Sequence, residues 1–453
     1  MVSLKNQTIP VDAEKIVFPG RSLCRCEDGI ALFTEGLLAG EKAKVLVIKD
    51  KKSFREGIVK EITKSSDERI EPACPLFGKC GGCSFQNTSY ANQAKLKYEY
   101  VSEVLQNVGT PIKPLLESPQ IWRYRNKMEF SFFENEGKVD IGLHRKGSFD
   151  RYVSINDCLI SGELFSKAVN AVRDYANQKG LSAYNNKTHE GFLRHLVLRQ
   201  AQNNNQFLIN ISTAPSLPAY DDVEGIMNGL ADCLKGFADG ICWTKNGKKG
   251  DAVSNDDISI LYGKDEIREK LNIDGKDYFF KISPASFFQT NSKGTELLYN
   301  SALTLLSPKQ SDVLLDLYCG TGTISISMSP KVKKVIGVEI SHQAVDDANG
   351  NAAINSISNI DFVSASAQDW VKGFKEKFDD VVLDPPRAGL TNEVIRFLLT
   401  TLPAQILYIS CNPSTLSRDL ILLKDSYEIE TIIPIDMFPQ TYHIETITLL
   451  KIR

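Results

Sequence analysis

The sequence lacks a long apolar run and a strong excess of either charge. No apolar stretch reaches the ~20 residues that a membrane-spanning helix needs, so no membrane association is expected. Residues 1–10 have no apolar core of the kind found in signal peptides, which predicts a cytoplasmic protein. With 53 Lys and Arg against 56 Asp and Glu, the net charge is only −3. Any contact with nucleic acid must therefore come from local basic patches.

Cysteine, in contrast, is plentiful, with 10 residues in a chain of 453. Cytoplasmic thiols stay reduced, so these residues indicate metal or cluster ligands and catalysis rather than disulfides. The length is enough for two or three domains with cores of their own.

Residues 1–68 are predicted to form a small β barrel. Short β-rich runs separated by turn residues occur at 15–18, 30–33, 43–48 and 56–62. Several short strands in so few residues are typical of OB-type barrels, which often bind oligonucleotides, although a barrel without a ligand is the alternative. Cys24 and Cys26 in this segment are predicted to be structural.

A glycine- and proline-rich loop carries three closely spaced cysteines, Cys74, Cys80 and Cys83. Glycines let the backbone wrap tightly and point its N–H groups at a central anion. Zinc and iron–sulfur clusters both need thiolates grouped in this way, whereas three unrelated buried thiols would be the structural alternative. A fourth ligand is required, and Cys158 is the best candidate.

The region that follows, to about residue 280, is predicted to be a mixed α+β domain. A helix is expected over 91–108, and its polar face is predicted to carry Lys95, Lys97 and Glu99. The segment 122–127 interleaves basic and aromatic residues, which suits contact with phosphates and stacking on bases. The polar face of a strand explains the same segment equally well.

From residue 281 onwards, strands and helices alternate, which predicts a parallel sheet. A buried strand over 313–318 runs into a glycine turn that opens a helix, and the next strand ends at Glu339. Such a unit binds nucleotides, because the glycines allow close approach and the acid accepts ribose hydroxyls. Ser325 stands where dinucleotide-binding folds have a third glycine. This favours a ligand without phosphate, such as S-adenosylmethionine.

Three further residues stand at strand ends in this region. Asp384 follows a predicted strand and precedes two prolines that fix the backbone, so its side chain is expected in the crevice at the carboxyl ends of the strands. Cys411 follows the apolar run 405–409. Taken alone it would be a structural cysteine, but its place at the crevice makes it a candidate nucleophile. Glu445 adds a second carboxylate before the terminal strand.

Together these segments resemble the RNA uracil-C5 methyltransferase family. The motifs that carry the resemblance are Phe287-Phe288-Gln289-Thr290-Asn291, residues 316–322, Asp384-Pro385-Pro386-Arg387, Ser410-Cys411-Asn412-Pro413 and His443-Ile444-Glu445. The cysteine loop looks like that of the branch with a 4Fe–4S cluster, which includes bacterial 23S ribosomal RNA methyltransferases. Residues 36–41 resemble the turn of TRAM domains, which are small RNA-binding barrels.

The resemblance implies three domains: a TRAM-like OB barrel over 1–68, a central RNA-binding domain with the iron–sulfur loop over 69–280, and a Rossmann-like methyltransferase domain over 281–453. It also implies that Cys411 adds to C6 of uracil and that Glu445 later removes the C5 proton. By resemblance, the S-adenosylmethionine pocket includes Gln289, Tyr318, Glu339 and Asp384, and the ligands of a structural 4Fe–4S cluster are Cys74, Cys80, Cys83 and Cys158.

The same resemblance suggests 23S ribosomal RNA as the substrate. The target uridine must leave its stack to reach a crevice, so a flipped base is expected. A monomer is the default expectation, since the sequence is silent on oligomeric state. The T-loop uridine of transfer RNA is the alternative target. Two other functions remain open at this point: an amino-group methyltransferase, which needs no nucleophilic cysteine, and a non-catalytic RNA-binding protein. A zinc ion in place of the cluster is a further alternative.

Overall fold

Five strands near the N-terminus close into a barrel. They are β1 (Thr8–Val17), β2 (Arg21–Arg25), β3 (Ala31–Thr34), β4 (Lys42–Asp50) and β5 (Phe54–Lys64). Their order is β1-β2-β3-β5-β4, and β4 pairs back onto β1. Alternate side chains point inwards, and Leu32 and Val45 are fully buried. The predicted barrel is confirmed, although β2 was not among the predicted strands, and Cys24 and Cys26 are buried in its core.

The central region contains a seven-stranded sheet with the order β12-β11-β10-β9-β6-β7-β8. Its elements, together with the helix that precedes them, are α1 (Tyr90–Leu105), β6 (Lys127–Asn135), β7 (Lys138–His144), β8 (Tyr152–Ser154), α2 (Glu163–Gln178), β9 (Leu193–Ala201), β10 (Gln206–Thr213), α3 (Val223–Leu234), β11 (Gly240–Lys245) and β12 (Ile258–Gly263). The apolar faces of α2 and α3 share a core with this sheet. The mixed α+β arrangement follows the prediction.

A second seven-stranded sheet forms the C-terminal region. The elements are β13 (Ile267–Ile273), β14 (Lys276–Ile282), α4 (Ser292–Leu306), β15 (Val313–Leu317), α5 (Thr323–Met328), β16 (Lys334–Glu339), α6 (His342–Ile354), β17 (Ile360–Ser364), α7 (Ala367–Gly373), β18 (Asp380–Leu383), α8 (Asn392–Thr401), β19 (Gln405–Ser410), α9 (Pro413–Leu423), β20 (Tyr427–Ile435) and β21 (Glu445–Ile452).

The strand order of this sheet is β17-β16-β15-β18-β19-β21-β20. The strands from β15 to β19 are parallel, and β21 lies antiparallel between β19 and β20. The chain moves outwards from β15 to β17 and then returns to place β18 beside β15. Ligands bind at such a reversal, outside the carboxyl ends of the strands, so the topology itself predicts where the site lies.

The hairpin of β13 and β14 belongs to the core of the C-terminal sheet. Leu271 and Phe280 of this hairpin are fully buried in the same cluster as Leu298 and Leu303 of α4. The domain boundary expected at residue 281 therefore falls inside β14.

Helix α1 also packs on the C-terminal region, where Val101 and Leu105 share a core with Leu416 and Leu420 of α9. The predicted polar face of this helix is wrong for Lys97, which is only 2% exposed. Its ammonium group pairs with Asp436 at 2.7 Å, 339 residues further along the chain. Helical periodicity could not predict this contact, because the partner is brought in by the tertiary fold.

The computed structural model describes residues 3–215, 222–250, 257–373 and 377–453. Within these ranges, no helix combines the length and the apolar character needed to cross a membrane.

Helix capping gives a first prediction. Asn291 is fully buried, accepts the Gly294 N–H at 2.9 Å as the N-cap of α4, and donates to the Met437 carbonyl at 2.9 Å. Asn291→Ala should lower the free energy of unfolding by about 2–3 kcal/mol, because it also leaves a buried carbonyl without a donor. Asp222→Ala removes the exposed N-cap of α3 and should cost about 1 kcal/mol. Urea unfolding of both variants checks this, and equal losses would contradict it.

Candidate active site

A cavity of about 1090 Å³ lies at the carboxyl ends of β15, β16, β18 and β19. The six residues predicted to act in catalysis or in binding the methyl donor all line it: Cys411, Glu445, Gln289, Tyr318, Glu339 and Asp384. The parallel strands bring four of them together, Tyr318, Glu339, Asp384 and Cys411, because their carboxyl ends meet at one edge of the sheet. Gln289 comes from the segment before α4, and Glu445 comes from the start of the antiparallel β21.

The glycine turn after β15 leaves room for a ligand against the backbone. Tyr318, the residue before this turn, has a φ of 70°, a left-handed conformation that residues with side chains rarely adopt. Gly320 lines the cavity, and a Cβ built on it would meet no protein atom within 4 Å. At Gly322 a Cβ would instead lie 2.7 Å from the Phe362 ring, so this position accepts only glycine.

Glu339 is held in place by the turn it faces. Its carboxylate accepts the Gly320 N–H at 3.2 Å and the Ser341 N–H at 2.9 Å. Each carboxylate oxygen has a further lone pair, so Glu339 can also accept the two hydroxyls of a ribose. The prediction for this residue and the geometry of the turn therefore agree on the same ligand chemistry.

Ser325 has a structural partner that the sequence did not reveal. Its hydroxyl donates to the buried Asp316 carboxyl at 2.6 Å. Burial raises the pKa of Asp316 to about 7, and the hydrogen bond from Ser325 partly opposes this rise. The serine found where a third glycine was expected thus stabilises the acid beneath the turn.

Cys411 lies in the turn between β19 and α9, and this turn is tied to the segment after Asp384. Asn412 caps α9 by accepting the Ser414 N–H at 3.1 Å, and its amide donates to the Arg387 carbonyl at 3.0 Å. Thr415 donates to the same carbonyl at 3.3 Å. These bonds fix the ends of β18 and β19 relative to each other and so fix Cys411 relative to Asp384.

The Cys411 thiol is half-buried beside two acidic groups. Burial, followed by the charges of Glu445 and Asp384, raises the pKa of Cys411 to about 11, and Arg387 opposes this. Burial raises the pKa of Asp384 to about 7. Burial and the nearby Asp384 raise the pKa of Glu445 well above its usual range.

Three further cavity residues, Phe287, Arg387 and His443, were not selected from the sequence, and a fourth, Arg125, lies in the segment 122–127 that was predicted to contact RNA. Three of them lie in the motifs that carried the resemblance, so their position beside selected residues was the available signal. Arg387 contacts the His443 Nδ1 at 2.6 Å, and burial together with Arg387 lowers the pKa of His443 to about 4. Phe287 is 69% exposed at the cavity and presents an aromatic face.

The segment 122–127 was predicted either to contact RNA or to form the polar face of a strand. Several of its side chains instead bond to other parts of the protein. Tyr124 is fully buried and donates to the Pro439 carbonyl at 2.9 Å. Arg123 pairs with Asp157 at 2.7 Å. Base stacking by Tyr124 is therefore wrong, whereas Arg125 does face the cavity.

The four cysteines predicted as ligands line a second cavity, of about 510 Å³: Cys74, Cys80, Cys83 and Cys158. Within the described ranges, no three Cys, His, Asp or Glu side chains lie close enough to hold one metal ion. A single zinc ion draws its thiolates within ~2.3 Å of one point, whereas a cluster spreads its ligands over several irons. Burial raises the pKa of Cys83 to about 12. Arg125 and His443 line both cavities, which are therefore neighbours.

Comparison with known proteins identifies the family. A family described as tRNA (Uracil-5-)-methyltransferase matches residues 254–453. An uncharacterized RNA methyltransferase of Caldanaerobacter subterraneus is 40% identical, over 99% of this chain and 99% of that protein. The chain belongs to the RNA uracil-5-methyltransferases. A second relative, an uncharacterized RNA methyltransferase of Clostridium tetani, is 35% identical over 100% of this chain and 99% of that protein.

A solved structure extends the match to the whole fold. The tRNA (uracil-54, C5)-methyltransferase of Pyrococcus abyssi, in complex with S-adenosyl-L-homocysteine, is 27% identical. The match includes 97% of the present chain and 100% of the Pyrococcus abyssi chain, and its TM-score is 0.76. The predicted S-adenosylmethionine-dependent enzyme with a Rossmann-like domain is thus confirmed, and an amino-group methyltransferase and a non-catalytic protein are set aside.

The raised pKa of Asp384 gives a prediction for stability. A carboxyl whose pKa rises from 3.8 to about 7 on folding favours the folded state when protonated. That contribution is lost as pH rises from about 4 to about 7, so Asp384→Asn should gain stability relative to wild type over this window. Asp384 is partly exposed, so we expect a gain of about 1–2 kcal/mol.

Urea unfolding at pH 5, 6, 7 and 8 measures this gain. The exposed Asp425→Asn serves as the matched control and should track wild type at every pH. A difference between Asp384→Asn and wild type that stays constant from pH 5 to pH 8 would contradict the assignment.

Proposed function

We propose that this enzyme methylates C5 of one uridine in 23S ribosomal RNA, with Cys411 as the nucleophile and Glu445 as the base. The observation that carries the proposal is the meeting of a thiol, two carboxyls and the glycine turn in one cavity. A thiol and a carboxyl in one cavity suit addition to C6 of uracil followed by removal of the C5 proton.

Each step assigns a role to a residue of the chain. The Cys411 thiol gives its proton to solvent as its sulfur adds to C6, which places the electron pair at C5; the thiolate regains a proton from solvent when it leaves at the end. Bound S-adenosylmethionine supplies the methyl group that C5 takes up. The ionised Glu445 carboxylate then accepts the C5 proton, and the Cys411–C6 bond breaks to release 5-methyluridine. Glu445 and Asp384 repel each other when both are charged. Once one of the two carboxyls has lost its proton, the other therefore binds its own proton more tightly.

The lining of the cavity fits a base removed from its stack. Phe287 presents an aromatic face at the cavity, and protonated Asp384 has both a donor and an acceptor for the edge of uracil. Glu339 beside the open turn at Gly320 suits the ribose of S-adenosylmethionine. Gln289 and Tyr318 complete the pocket proposed for the methyl donor.

We further propose that the second cavity holds a structural 4Fe–4S cluster bound by Cys74, Cys80, Cys83 and Cys158. All four line one cavity, and the Gly82 N–H points at the Cys80 sulfur at 3.4 Å, as a negatively charged cluster would require. The N-terminal barrel is proposed to act as a TRAM-like RNA-binding domain. The enzyme is proposed to be a cytoplasmic monomer.

The second candidate substrate is transfer RNA. The Pyrococcus abyssi enzyme, which covers 97% of this chain, is a methyltransferase of uracil 54 in transfer RNA, and the matched family is that of tRNA (Uracil-5-)-methyltransferases. The chemistry proposed for Cys411 and Glu445 is the same for either RNA.

The function is tested by mapping 5-methyluridine. Expression in a host that lacks this base should add it at one position of 23S ribosomal RNA, as measured by mass spectrometry of RNase fragments. Cys411→Ala should abolish product, because it removes the sulfur proposed to add to C6, whereas the exposed Cys233→Ala should retain wild-type activity. Glu445→Gln should accumulate a covalent RNA–protein adduct that survives denaturation.

The outcomes separate the two substrates and the mechanism. New 5-methyluridine in transfer RNA alone would keep the mechanism and replace the substrate. Full activity of Cys411→Ala would contradict the covalent route, and no new 5-methyluridine in either RNA would contradict the proposed reaction.

The cluster is tested by spectroscopy and by analysis of iron and sulfide. Anaerobically purified protein should be brown, with broad absorption near about 400 nm. Cys83→Ser should lose this absorption together with the iron, because serine is a poor ligand for iron–sulfur clusters. Cys233→Ser should keep both. A colourless wild-type protein with stoichiometric zinc would contradict the cluster.

A further inference from the structure

The loop that leads to Glu445 is held from several distant parts of the chain. It spans residues 436–444 between β20 and β21, and Glu445, the first residue of β21, pairs with Ile435, the last residue of β20. Because the loop begins and ends beside this pair, its shape decides how the Glu445 side chain enters the cavity.

Four consecutive carbonyls of this loop each accept a hydrogen bond from a different segment. The donors are Asn291 to Met437 at 2.9 Å, Lys97 to Phe438 at 3.0 Å, Tyr124 to Pro439 at 2.9 Å, and the backbone N–H groups of Ser84 and Phe85 to Gln440 at 2.8 and 3.1 Å. These donors come from α4, α1, the segment before β6 and the residues that follow Cys83. Such anchoring holds the loop in one conformation.

Lys97 makes the charged contact in this set. Its side chain is 1% exposed, and it bonds both to the Asp436 carboxylate at 2.7 Å and to the Phe438 carbonyl. The same Asp436 oxygen accepts the Phe438 N–H at 3.0 Å, and the Asp436 N–H donates to the Leu116 carbonyl at 2.9 Å. One ammonium group therefore fixes the first turn of the loop on α1.

Stability alone does not account for a buried ion pair here. Removing two charges from water costs several kcal/mol, and well-packed apolar residues of similar size are often at least as stable. A lysine that reaches both a carboxylate and a carbonyl instead provides directional contacts, which an apolar side chain lacks. Its charge also reaches His443, which lines the active-site cavity.

We propose that Lys97 is a positioning residue for the general base: by fixing Asp436 and the Phe438 carbonyl on α1, it holds the loop that places Glu445 in the cavity. The inference rests on the proposed function, because it takes Glu445 as the group that removes the C5 proton. Lys97 itself does not line the cavity. A displaced base slows the last step and leaves addition and methyl transfer largely intact.

This predicts a particular defect in Lys97→Met. A misplacement of about 1 Å can cost about 100-fold in rate, so kcat should fall 10- to 100-fold, with KM for RNA within about twofold of wild type. The denaturation-resistant RNA–protein adduct, measured on denaturing gels with radiolabelled RNA, should rise several-fold above wild type, as for Glu445→Gln. Lys95→Met, two residues away on the exposed face of α1, is the matched control and should behave as wild type.

The double variant Lys97→Met/Asp436→Asn separates positioning from stability. It leaves no unpaired buried charge, so its melting temperature should recover towards wild type, even if Lys97→Met folds poorly. The contact with the Phe438 carbonyl stays lost, so the adduct should persist and kcat should stay low. Recovery of kcat together with stability would overturn the proposal, as would a loss of activity without any rise in adduct.

Hydrogen exchange of residues 436–445 tests the loop independently of the reaction. In the double variant these amides should exchange at least tenfold faster than in wild type, while Lys95→Met keeps wild-type protection. Unchanged protection would overturn the proposal whatever the activity. If Glu445→Gln forms no adduct and wild type makes no 5-methyluridine, the proposed function fails, and the exchange result still decides whether Lys97 fixes the loop.

Discussion

The central constraint on this protein is the meeting of four strand ends at one edge of the C-terminal sheet. Because β15, β16, β18 and β19 are parallel, the residues that follow them emerge side by side. The glycine turn, Glu339, Asp384 and Cys411 are placed in this way. The antiparallel β21 then brings Glu445 to the same edge from the opposite direction, so that one cavity collects groups from five strands.

The cost of this arrangement is electrostatic. Asp316 and Glu445 are buried acids and Asp384 is a partly buried one, and burial raises the pKa of each. Burial, followed by the charges of Glu445 and Asp384, also raises the pKa of the Cys411 thiol. The raised pKa values favour the protonated forms of these groups in the free protein. Active sites often accept such a loss of stability because the chemistry needs the perturbed groups.

The rest of the chain packs against this edge of the C-terminal sheet and stabilises it. Helix α1 packs on α9, and the residues after Cys83 donate to the loop before Glu445. Arg125 and His443 line both the active-site cavity and the cysteine cavity. The proposed cluster site is therefore a neighbour of the active-site cavity. Hydrogen bonds from the residues after Cys83 also join the cysteine loop to the loop that precedes Glu445, the proposed base.

The sequence by itself determined the barrel, the parallel sheet, the glycine turn and the candidates Cys411, Asp384 and Glu339, because periodicity and strand-end residues are local signals. Only the tertiary structure decided that Lys97 is buried, that Tyr124 faces the interior, and that Ser325 bonds to Asp316. Each of these depends on a partner that the backbone brings close, and for Lys97 that partner is 339 residues away. A local pattern records which side chain is polar, whereas the fold decides whether it meets water or another residue.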